Sequence, residues 1–221
     1  KFLRDIWLDW FPTLPSYVAF DRRLNRLSGV LDHLLERVVA DIASLEGEWI
    51  ADMSLIDSFP IMTCSGKRKG KVAPELADKG YCATKSMHYY GLKLHFIGFH
   101  KPGRLPQPEH IKLSPASWHD LTAMKEEISQ MKGRAIFADK IYVDRELQNH
   151  LNSQGSQLYT PVKLVKGQSQ WERQFNAAAD KIFSKAVSSI RQPIESTFNW
   201  LEEKVGLQNA SNVRSTKGLI V

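Results

Sequence analysis

The stretch Ser54-Leu-Ile-Asp-Ser-Phe59 places an acidic residue, Asp57, inside an apolar run that is typical of a buried strand. A second run, Ala135-Ile-Phe-Ala-Asp139, is equally apolar and also carries an aspartate, at its end. Aspartate is depleted in strands because its short side chain competes for backbone hydrogen bonds and is costly to bury. The two runs therefore predict strands whose acidic residues are retained for chemistry.

A third acid, Glu195, lies on the helical pattern Ile194–Leu201. Carboxylates held together repel one another unless a cation neutralises them, and Mg²⁺ prefers oxygen ligands. Two such ions about 3.5–4 Å apart can clamp the attacking and leaving oxygens of a phosphoryl transfer. The three acids together therefore favour a metal-dependent enzyme that acts on nucleic acid.

Each acid also has a simpler interpretation when it is taken alone. Asp57 could be a buried strand acid paired with a lysine, and Asp139 could start the turn to Lys140. Glu195 could be a first-turn helix carboxylate stabilised by the helix dipole. Asp120 is interpreted as a helix N-cap rather than a fourth ligand.

Positive charge is concentrated in one stretch of the chain. Residues 66–112 carry ten Lys/Arg and three Asp/Glu, whereas residues 1–50 carry six Lys/Arg and eight Asp/Glu. The basic stretch opens with Lys67-Arg-Lys-Gly-Lys71. Cations on a protein surface displace the counterions of nucleic acid, so a basic surface beside an acidic site fits a phosphodiester substrate. The alternative is a solvated loop that its charges keep soluble.

The composition is that of a globular protein. The 221 residues, 43% of them hydrophobic, suffice for one substantial core with a small helical annex, and no segment is long enough to span a membrane. Cys64 and Cys82 are too few for a disulfide scaffold, which favours a reducing cytoplasm. The start without Met and the end inside an apolar run predict a trimmed chain.

Hydrophobic periodicity divides the chain into helices and strands. Apolar residues recur every three or four positions over residues 16–45, which predicts helices divided at Gly29 and sharing one packing face. Further helices are predicted from near His119, from Asp144 to before Gly155, and over two later segments. The predicted strands cover residues 53–63, 89–97, 110–113, 134–139 and 158–162.

The last two helices are predicted as separate elements. The first carries Trp171 and Phe183, and the second begins with Pro193 in its first turn, because proline lacks the N–H that an interior position must donate. The loop between the first two strands is predicted to be a long, exposed connection. Strands first, then alternating strands and helices, predict an α/β fold with a mixed sheet flanked by helices.

Four motifs carry a resemblance to a known family. Leu55-Ile-Asp-Ser-Phe59 and Ala135-Ile-Phe-Ala-Asp-Lys-Ile-Tyr142 are similar to its first-strand and fourth-strand motifs. Arg191-Gln-Pro-Ile-Glu-Ser-Thr-Phe198 is similar to its Arg-x-x-x-Glu signature, and Ser117-Trp-His-Asp120 to the segment that precedes the helix between its third and fourth strands. The stretch Leu55–Leu219 thus resembles the catalytic domain of bacterial insertion-sequence transposases of the DDE type.

The resemblance implies a ribonuclease H-like fold, a mixed five-stranded sheet flanked by helices. The catalytic domain would cover residues 51–221, after an N-terminal helical segment at residues 1–50. Asp57, Asp139 and Glu195 would be the catalytic residues and would bind two Mg²⁺ or Mn²⁺ ions for strand cleavage and transfer. The implied partner is double-stranded DNA, bound by a homodimer in the bacterial cytoplasm, in association with the nucleoid during transposition.

Basic residues around these motifs are predicted to contact DNA: Lys67, Arg68, Lys69, Lys71, Lys85, Lys140, Arg191 and Lys204. Arg191 lies four residues before Glu195 on one helix face, so it could instead pair with that acid. Ser188 and Glu202 stand where some relatives carry a tyrosine and a lysine.

Trp118 and Trp200 are interpreted as core residues rather than as platforms for base stacking. Two alternative functions stay open at this point. One is a metal-dependent DNA endonuclease that does not join strands. The other is a domesticated or inactive transposase-derived protein that only binds DNA.

Overall fold

A computed structural model describes residues 13–45, 52–67, 70–163 and 170–220, and leaves the predicted DNA contacts Arg68 and Lys69 outside the described residues. The strands are β1 Met53–Ser65, β2 Asp78–Cys82, β3 Met87–Phe99, β4 Gln107–Pro115, β5 Ala135–Phe137 and β6 Gln157–Tyr159. The helices are α1 Tyr17–Leu27, α2 Leu31–Leu45, α3 Asp120–Ser129, α4 Arg145–Ser153, α5 Gln170–Val205 and α6 Thr216–Ile220. Short 3₁₀ segments cover Ser28–Val30, Lys140–Tyr142 and Leu207–Asn212.

The described strands form one six-stranded mixed sheet in the order β2-β3-β1-β5-β6, with β4 also paired to β3. β1 and β3 are antiparallel, whereas β1, β5 and β6 run parallel. The predicted α/β fold with a ribonuclease H-like mixed sheet is therefore confirmed, with six strands where five were expected.

The extra strand, β2, lies in the segment that was predicted to be a long exposed connection. Its sequence, Asp-Lys-Gly-Tyr-Cys, is short and polar and carries little strand signal of its own. It forms because it pairs with the start of β3, where Gly80 is opposite Tyr89. Tertiary pairing thus supplies what local propensity does not.

Alternation along the central strands separates two layers of core. Leu55 and Phe137 belong to the cluster under α5, which contributes Ile194. Ile56 and Ile136 belong to the cluster on the opposite face, under α3 and α4. Because successive strand residues point to opposite faces, the position two residues beyond Leu55 on β1 also lies on the α5 side of the sheet.

Several local signals are confirmed. The Asp144 side chain caps α4 by accepting a hydrogen bond from Leu147 N at 2.7 Å. Gly155 follows the helix with φ of +75°, the left-handed conformation that glycine adopts without strain. Gly29 lies in the 3₁₀ segment that separates α1 from α2.

The prediction of two separate C-terminal helices is wrong. α5 is continuous over 36 residues and contains Pro193 in its interior. Proline removes one backbone donor, yet Val187 before it and Ile194 and Phe198 after it are all buried against the sheet. Most helical stability in proteins comes from packing of an amphipathic face. Packing on both sides of the proline therefore keeps the helix continuous.

Two further interpretations are corrected by exposure. Trp118 and Trp200 are 48% and 47% exposed, so neither is a core residue in the described chain. In the described part of the N-terminal helices, Tyr17 is 82% and Leu34 57% exposed, so the predicted packing face is largely uncovered there. No helix in the described ranges is long and apolar enough to cross a bilayer.

Candidate active site

The register between β1 and β5 brings two of the predicted catalytic acids to neighbouring positions. Met53 is paired with Ala135, and Leu55 with Phe137. The pairing ends there, so Asp57 and Asp139 each follow the last paired residue of their strand by two positions. Asp57 lies on the face of the sheet that α5 covers, where it contacts Arg191.

α5 contributes a buried guanidinium to Asp57. Arg191 is 6% exposed, and its Nη2 donates to Asp57 Oδ2 at 2.8 Å. The sequence offered Glu195 or a DNA phosphate as the partner of this arginine, and the ion pair is with Asp57. Glu195 lies one helical turn further along α5, where its side chain is exposed.

The charge state of Asp57 is set by several neighbours. Burial raises its pKa from the ordinary 3.8 to about 6, although the Arg191 guanidinium and the Ser58 N–H lower it. The Ser58 N–H donates to Asp57 Oδ1 at 2.9 Å. The carboxylates of Asp139 and Glu195 raise the same pKa further. The pKa of Asp57 therefore depends on the charges of the other two predicted catalytic acids.

These acids are not arranged as a ready metal cage. Among the described residues no three His, Cys, Asp or Glu side chains are close enough to hold a metal ion. Carboxylate oxygens nevertheless fit a hard divalent cation. The negative charges of Asp139 and Glu195 act on Asp57, and Arg191 is the cation that offsets this charge. The assignment of Asp57, Asp139 and Glu195 as metal ligands stays a prediction.

A second polar cluster lies on the opposite face, between the sheet and α3. Asp120 is the first residue of α3, and His119 occupies the N-cap position, so the interpretation of Asp120 as the N-cap is wrong. Instead, Ser58 Oγ donates to Asp120 Oδ2 at 2.9 Å, and Lys93 Nζ to Asp120 Oδ1 at 2.7 Å. Lys112, also in the basic stretch, pairs with Glu127 at 2.7 Å. Part of that stretch is therefore structural.

The sequence did contain a signal for this cluster. Along β3, Lys93 and His95 alternate with the apolar residues Leu92, Leu94 and Phe96. Polar side chains at every second position of a strand share one face, and here that face packs on α3. A lysine and a histidine on such a face indicate polar partners on the covering helix.

A family model described as the transposase DDE domain matches residues 48–211, about three quarters of the chain. The chain belongs to the transposase DDE domain family. A search of the curated proteins finds no significant match. Membership confirms the resemblance inferred from the four motifs and makes the chain a transposase of the nuclease and transposase enzyme class, whose members act on DNA. The matched range includes Asp57, Asp139 and Glu195.

Three of the predicted DNA contacts lie at the far end of the β1–β3 ribbon of this DDE domain. Lys67 and Lys71 are exposed after β1, and Lys85 is exposed in the turn between β2 and β3. Ser65, at the end of β1, is eight residues beyond Asp57, or about 26 Å along an extended strand. The end of the ribbon beside Lys67 and Lys85 is therefore remote from the acids.

The other predicted contacts lie close to the acids or along α5. Lys140 is exposed directly after Asp139, whose Oδ1 accepts from Lys140 N at 2.7 Å. Lys204 is exposed in the last turn of α5. Arg191 is the buried member of the set. Contact with DNA stays a prediction for all of these residues.

Proposed function

We propose that this DDE transposase cleaves DNA strands at the ends of an insertion-sequence element and transfers them to target DNA, in a reaction dependent on Mg²⁺ or Mn²⁺. One observation carries the proposal: the charges of Asp139, which follows the end of β5, and of Glu195, on α5, both act on Asp57 in β1. Family membership supplies the reaction class, and these three positions supply the carboxylates.

Asp57, Asp139 and Glu195 would hold two divalent ions. Such ions, when bound, polarise a phosphoryl oxygen and lower the pKa of a bound water or hydroxyl. The chain's own residues orient the ligands: Arg191 and the Ser58 N–H each bind one oxygen of Asp57, and the Lys140 N–H binds Asp139. Fixed orientation of this kind reduces the reorganisation that the reaction would otherwise require.

Arg191 would also supply charge at the reacting phosphate. Its guanidinium holds Asp57 ionised against the burial that raises the pKa of this carboxyl. Guanidinium groups bind carboxylates and phosphates with the same planar geometry. The same side chain is thus suited to stabilise the acidic site before a metal ion binds and the substrate phosphate afterwards.

Double-stranded DNA would run from the acids along the β1–β3 ribbon. Lys67 and Lys71 are exposed after Ser65, the last residue of β1, and Lys85 is exposed in the turn between β2 and β3. Ser65 is about 26 Å from Asp57 along the strand, roughly eight base pairs at 3.4 Å per pair. Lys140 and Lys204 would flank the reacting phosphate. The lysines would contribute affinity without sequence preference, because phosphate contacts carry no base readout.

We also propose the domain division, assembly and location of the protein. The family match begins at residue 48, which supports a catalytic domain at residues 51–221 after a helical segment at residues 1–50. The exposed apolar residues of α1 and α2 are compatible with a homodimer on DNA. Cys64 and Cys82 are both free thiols, as suits a bacterial cytoplasmic protein associated with the nucleoid.

The test is cleavage of supercoiled plasmid in Mg²⁺ or Mn²⁺ by the native chain and by Asp139→Ala and Glu195→Gln variants. We expect cleavage to fall by at least a hundredfold in both variants, because each loses a metal-binding carboxylate. Glu203→Gln is the matched control, since Glu203 is exposed on the same helix two turns beyond Glu195. Duplex binding should be unchanged in all of them.

The products decide between related functions. Joining of a 3′-hydroxyl end to a second duplex supports a transposase, and cleavage without joining supports a nuclease. Full cleavage by both Asp139→Ala and Glu195→Gln contradicts the assignment of the acids. DNA binding without cleavage by the native chain supports a transposase-derived binding protein.

A further inference from the structure

Ser58 connects two carboxylates that lie on opposite faces of the sheet. Its backbone N–H donates to Asp57 Oδ1 at 2.9 Å, on the α5 side. Its hydroxyl donates to Asp120 Oδ2 at 2.9 Å, on the α3 side. One residue of β1 is therefore bonded both to the predicted catalytic aspartate and to the buried acid at the start of α3.

Asp120 is held as a fixed acceptor for this hydroxyl. It is 8% exposed, and Lys93 Nζ donates to its other oxygen at 2.7 Å. The same ammonium donates to the carbonyl of Trp118 at 2.8 Å, which ties Lys93 to the segment just before α3. Hydrogen bonds to charged groups are stronger than neutral ones, so the Ser58 rotamer is strongly selected.

β1 needs such support at this point because its pairing with β5 ends at Leu55. Beyond Leu55, the partner on the other edge is β3, and Ser58 is opposite His95. The carboxylate of Asp57 thus follows the last parallel pair, where the backbone has lost one of its two neighbouring ladders. The bond from Ser58 to Asp120 anchors β1 to α3 at this position.

Tyr142 has a buried hydroxyl that the charges of both acidic groups affect. Its side chain is fully buried, and its hydroxyl makes no hydrogen bond within the described residues. Burial raises the pKa of Tyr142 well above the usual value, and the charges of Asp120, Asp57 and Asp139 raise it further. Both carboxylates therefore act on one hydroxyl near the end of the strands.

We propose that Asp120, held by Lys93, is a positioning residue that fixes Ser58 and through it orients Asp57 for metal binding. The consequence for metal rests on the proposed function, whereas the link from Asp120 to the Ser58 amide does not. Partners that orient a metal ligand typically contribute about ten- to a hundredfold to metal affinity.

The alternative is an ion pair that only joins α3 to the sheet. The structure offers an internal control for this, because Lys112 of β4 and Glu127 of α3 form a second pair at 2.7 Å. That pair joins the same helix to the same sheet and is not bonded to Ser58. A purely structural role predicts equal consequences when either acid is neutralised.

The experiment compares Asp120→Asn, Ser58→Ala and Ser58→Thr with Glu127→Gln. In metal-free protein, NMR hydrogen exchange at the Ser58 amide reports the bond to Asp57, with the amide of Ile136, fully buried on the central strand β5, as the reference for global stability. We expect at least tenfold faster exchange at Ser58 in Asp120→Asn, with Ile136 unchanged. Ser58→Thr should keep the native rate, because it keeps the hydroxyl.

Calorimetric titration with Mn²⁺ supplies the second measurement. Asp120→Asn and Ser58→Ala should weaken Mn²⁺ binding about tenfold or more, whereas Ser58→Thr and Glu127→Gln should bind as the native chain does. Ser58→Ala removes only a hydroxyl, so it keeps the test decisive if Asp120→Asn does not fold. Equal behaviour of Ser58→Ala and Glu127→Gln in both measurements overturns the proposal.

Failure of the proposed function has a different signature. Asp57→Asn would then bind Mn²⁺ as the native chain does, which removes Asp57 from the metal site. The exchange rate at Ser58 would still decide whether Asp120 orients this part of β1. Faster exchange in Asp120→Asn supports the link, and an unchanged rate contradicts it.

Discussion

Arg191 Nη2 donates to Asp57 Oδ2 at 2.8 Å and so joins α5 to the first strand of the sheet. The side chains are 8% and 21% exposed, which makes this a largely desolvated ion pair. The positive charge of Arg191 offsets the cost of burying the Asp57 carboxylate when no other cation is bound. Loss of either member is expected to show in the pH dependence of stability, with opposite signs.

Arg191→Met should destabilise the protein by about 2–4 kcal/mol at pH 8, because it leaves a buried carboxylate without its cation. The native pKa of Asp57 is about 6, and the variant should raise it further, since Arg191 lowers it. The deficit should therefore be smaller at pH 5, where Asp57 is protonated. Urea unfolding at the two pH values, in a chelator, measures this.

Lys125→Met is the control for that experiment. It removes the cation of the Lys125–Asp144 pair, whose members are 45% and 24% exposed. Exposed pairs contribute about 0–1 kcal/mol, so this variant should lose little stability and show little change between pH 5 and 8. A pH-independent deficit in Arg191→Met would contradict the assignment of the pair.

Asp57→Asn should gain stability relative to the native chain as the pH rises. Because the folded pKa of about 6 lies above the ordinary 3.8, native stability falls between these values as Asp57 is forced to ionise. The variant carries no such cost, so its relative stability should improve by roughly 2–3 kcal/mol from pH 4 to pH 7. A relative stability that stays flat or falls over this range would refute the raised pKa.

The predicted catalytic aspartates stand out in the sequence because they break local rules. An aspartate inside an apolar strand is expensive, so Asp57 and Asp139 stand out without any structure. What the sequence lacked was the pairing of β1 with β5, which brings Asp139 near enough for its charge to act on Asp57. The cap at Asp144 was equally readable, because capping depends on only four consecutive residues.

Other features depend on contacts that no local pattern encodes. Pro193 normally ends a helix, and α5 passes through it because the residues on both sides are buried against the sheet. Asp120 looks like a cap in sequence, but its side chain turns to Ser58 and Lys93, which are 62 and 27 residues distant. The partner of Arg191 likewise depended on which carboxylate the packing of α5 brings near.

His95 should make the fold sensitive to acid. It is fully buried, with Nε2 at 2.7 Å from Ser114 Oγ, and burial lowers its pKa from 6.5 to about 4. Asp120 and Glu127 of α3 raise this pKa, whereas Lys93 on its own strand and Lys112 of β4 lower it. Since the unfolded chain takes up the proton first, native stability should fall as the pH drops from 6.5 to 4.

The His95→Gln variant should lack the part of the acid-induced loss of stability that comes from His95. Relative to the native chain it should gain roughly 2–3 kcal/mol between pH 7 and pH 4, as measured by urea unfolding. His110→Gln, at an exposed position of β4, should follow the native curve. Parallel curves for His95→Gln and the native chain would show that His95 does not resist protonation in the fold.

The ribbon lysines should determine how steeply DNA binding depends on salt. Each phosphate contact contributes about 0.9 to the slope of log K against log salt, so replacing Lys67, Lys71 and Lys85 by Ala should lower the slope by roughly 2–3. The slope is measured by fluorescence anisotropy of a labelled duplex at salt concentrations between about 50 and 200 mM, a range over which phosphate contacts weaken strongly.

The matched control is Lys132→Ala against Lys85→Ala. Lys132 is exposed just before β5, at the opposite end of that strand from Asp139. Lys85→Ala alone should lower the slope by about 0.9 and Lys132→Ala by nothing measurable, because only the first lies on the ribbon. Equal slopes for the triple variant and the native chain would move the DNA path off the ribbon and leave the chemistry at the acids untouched.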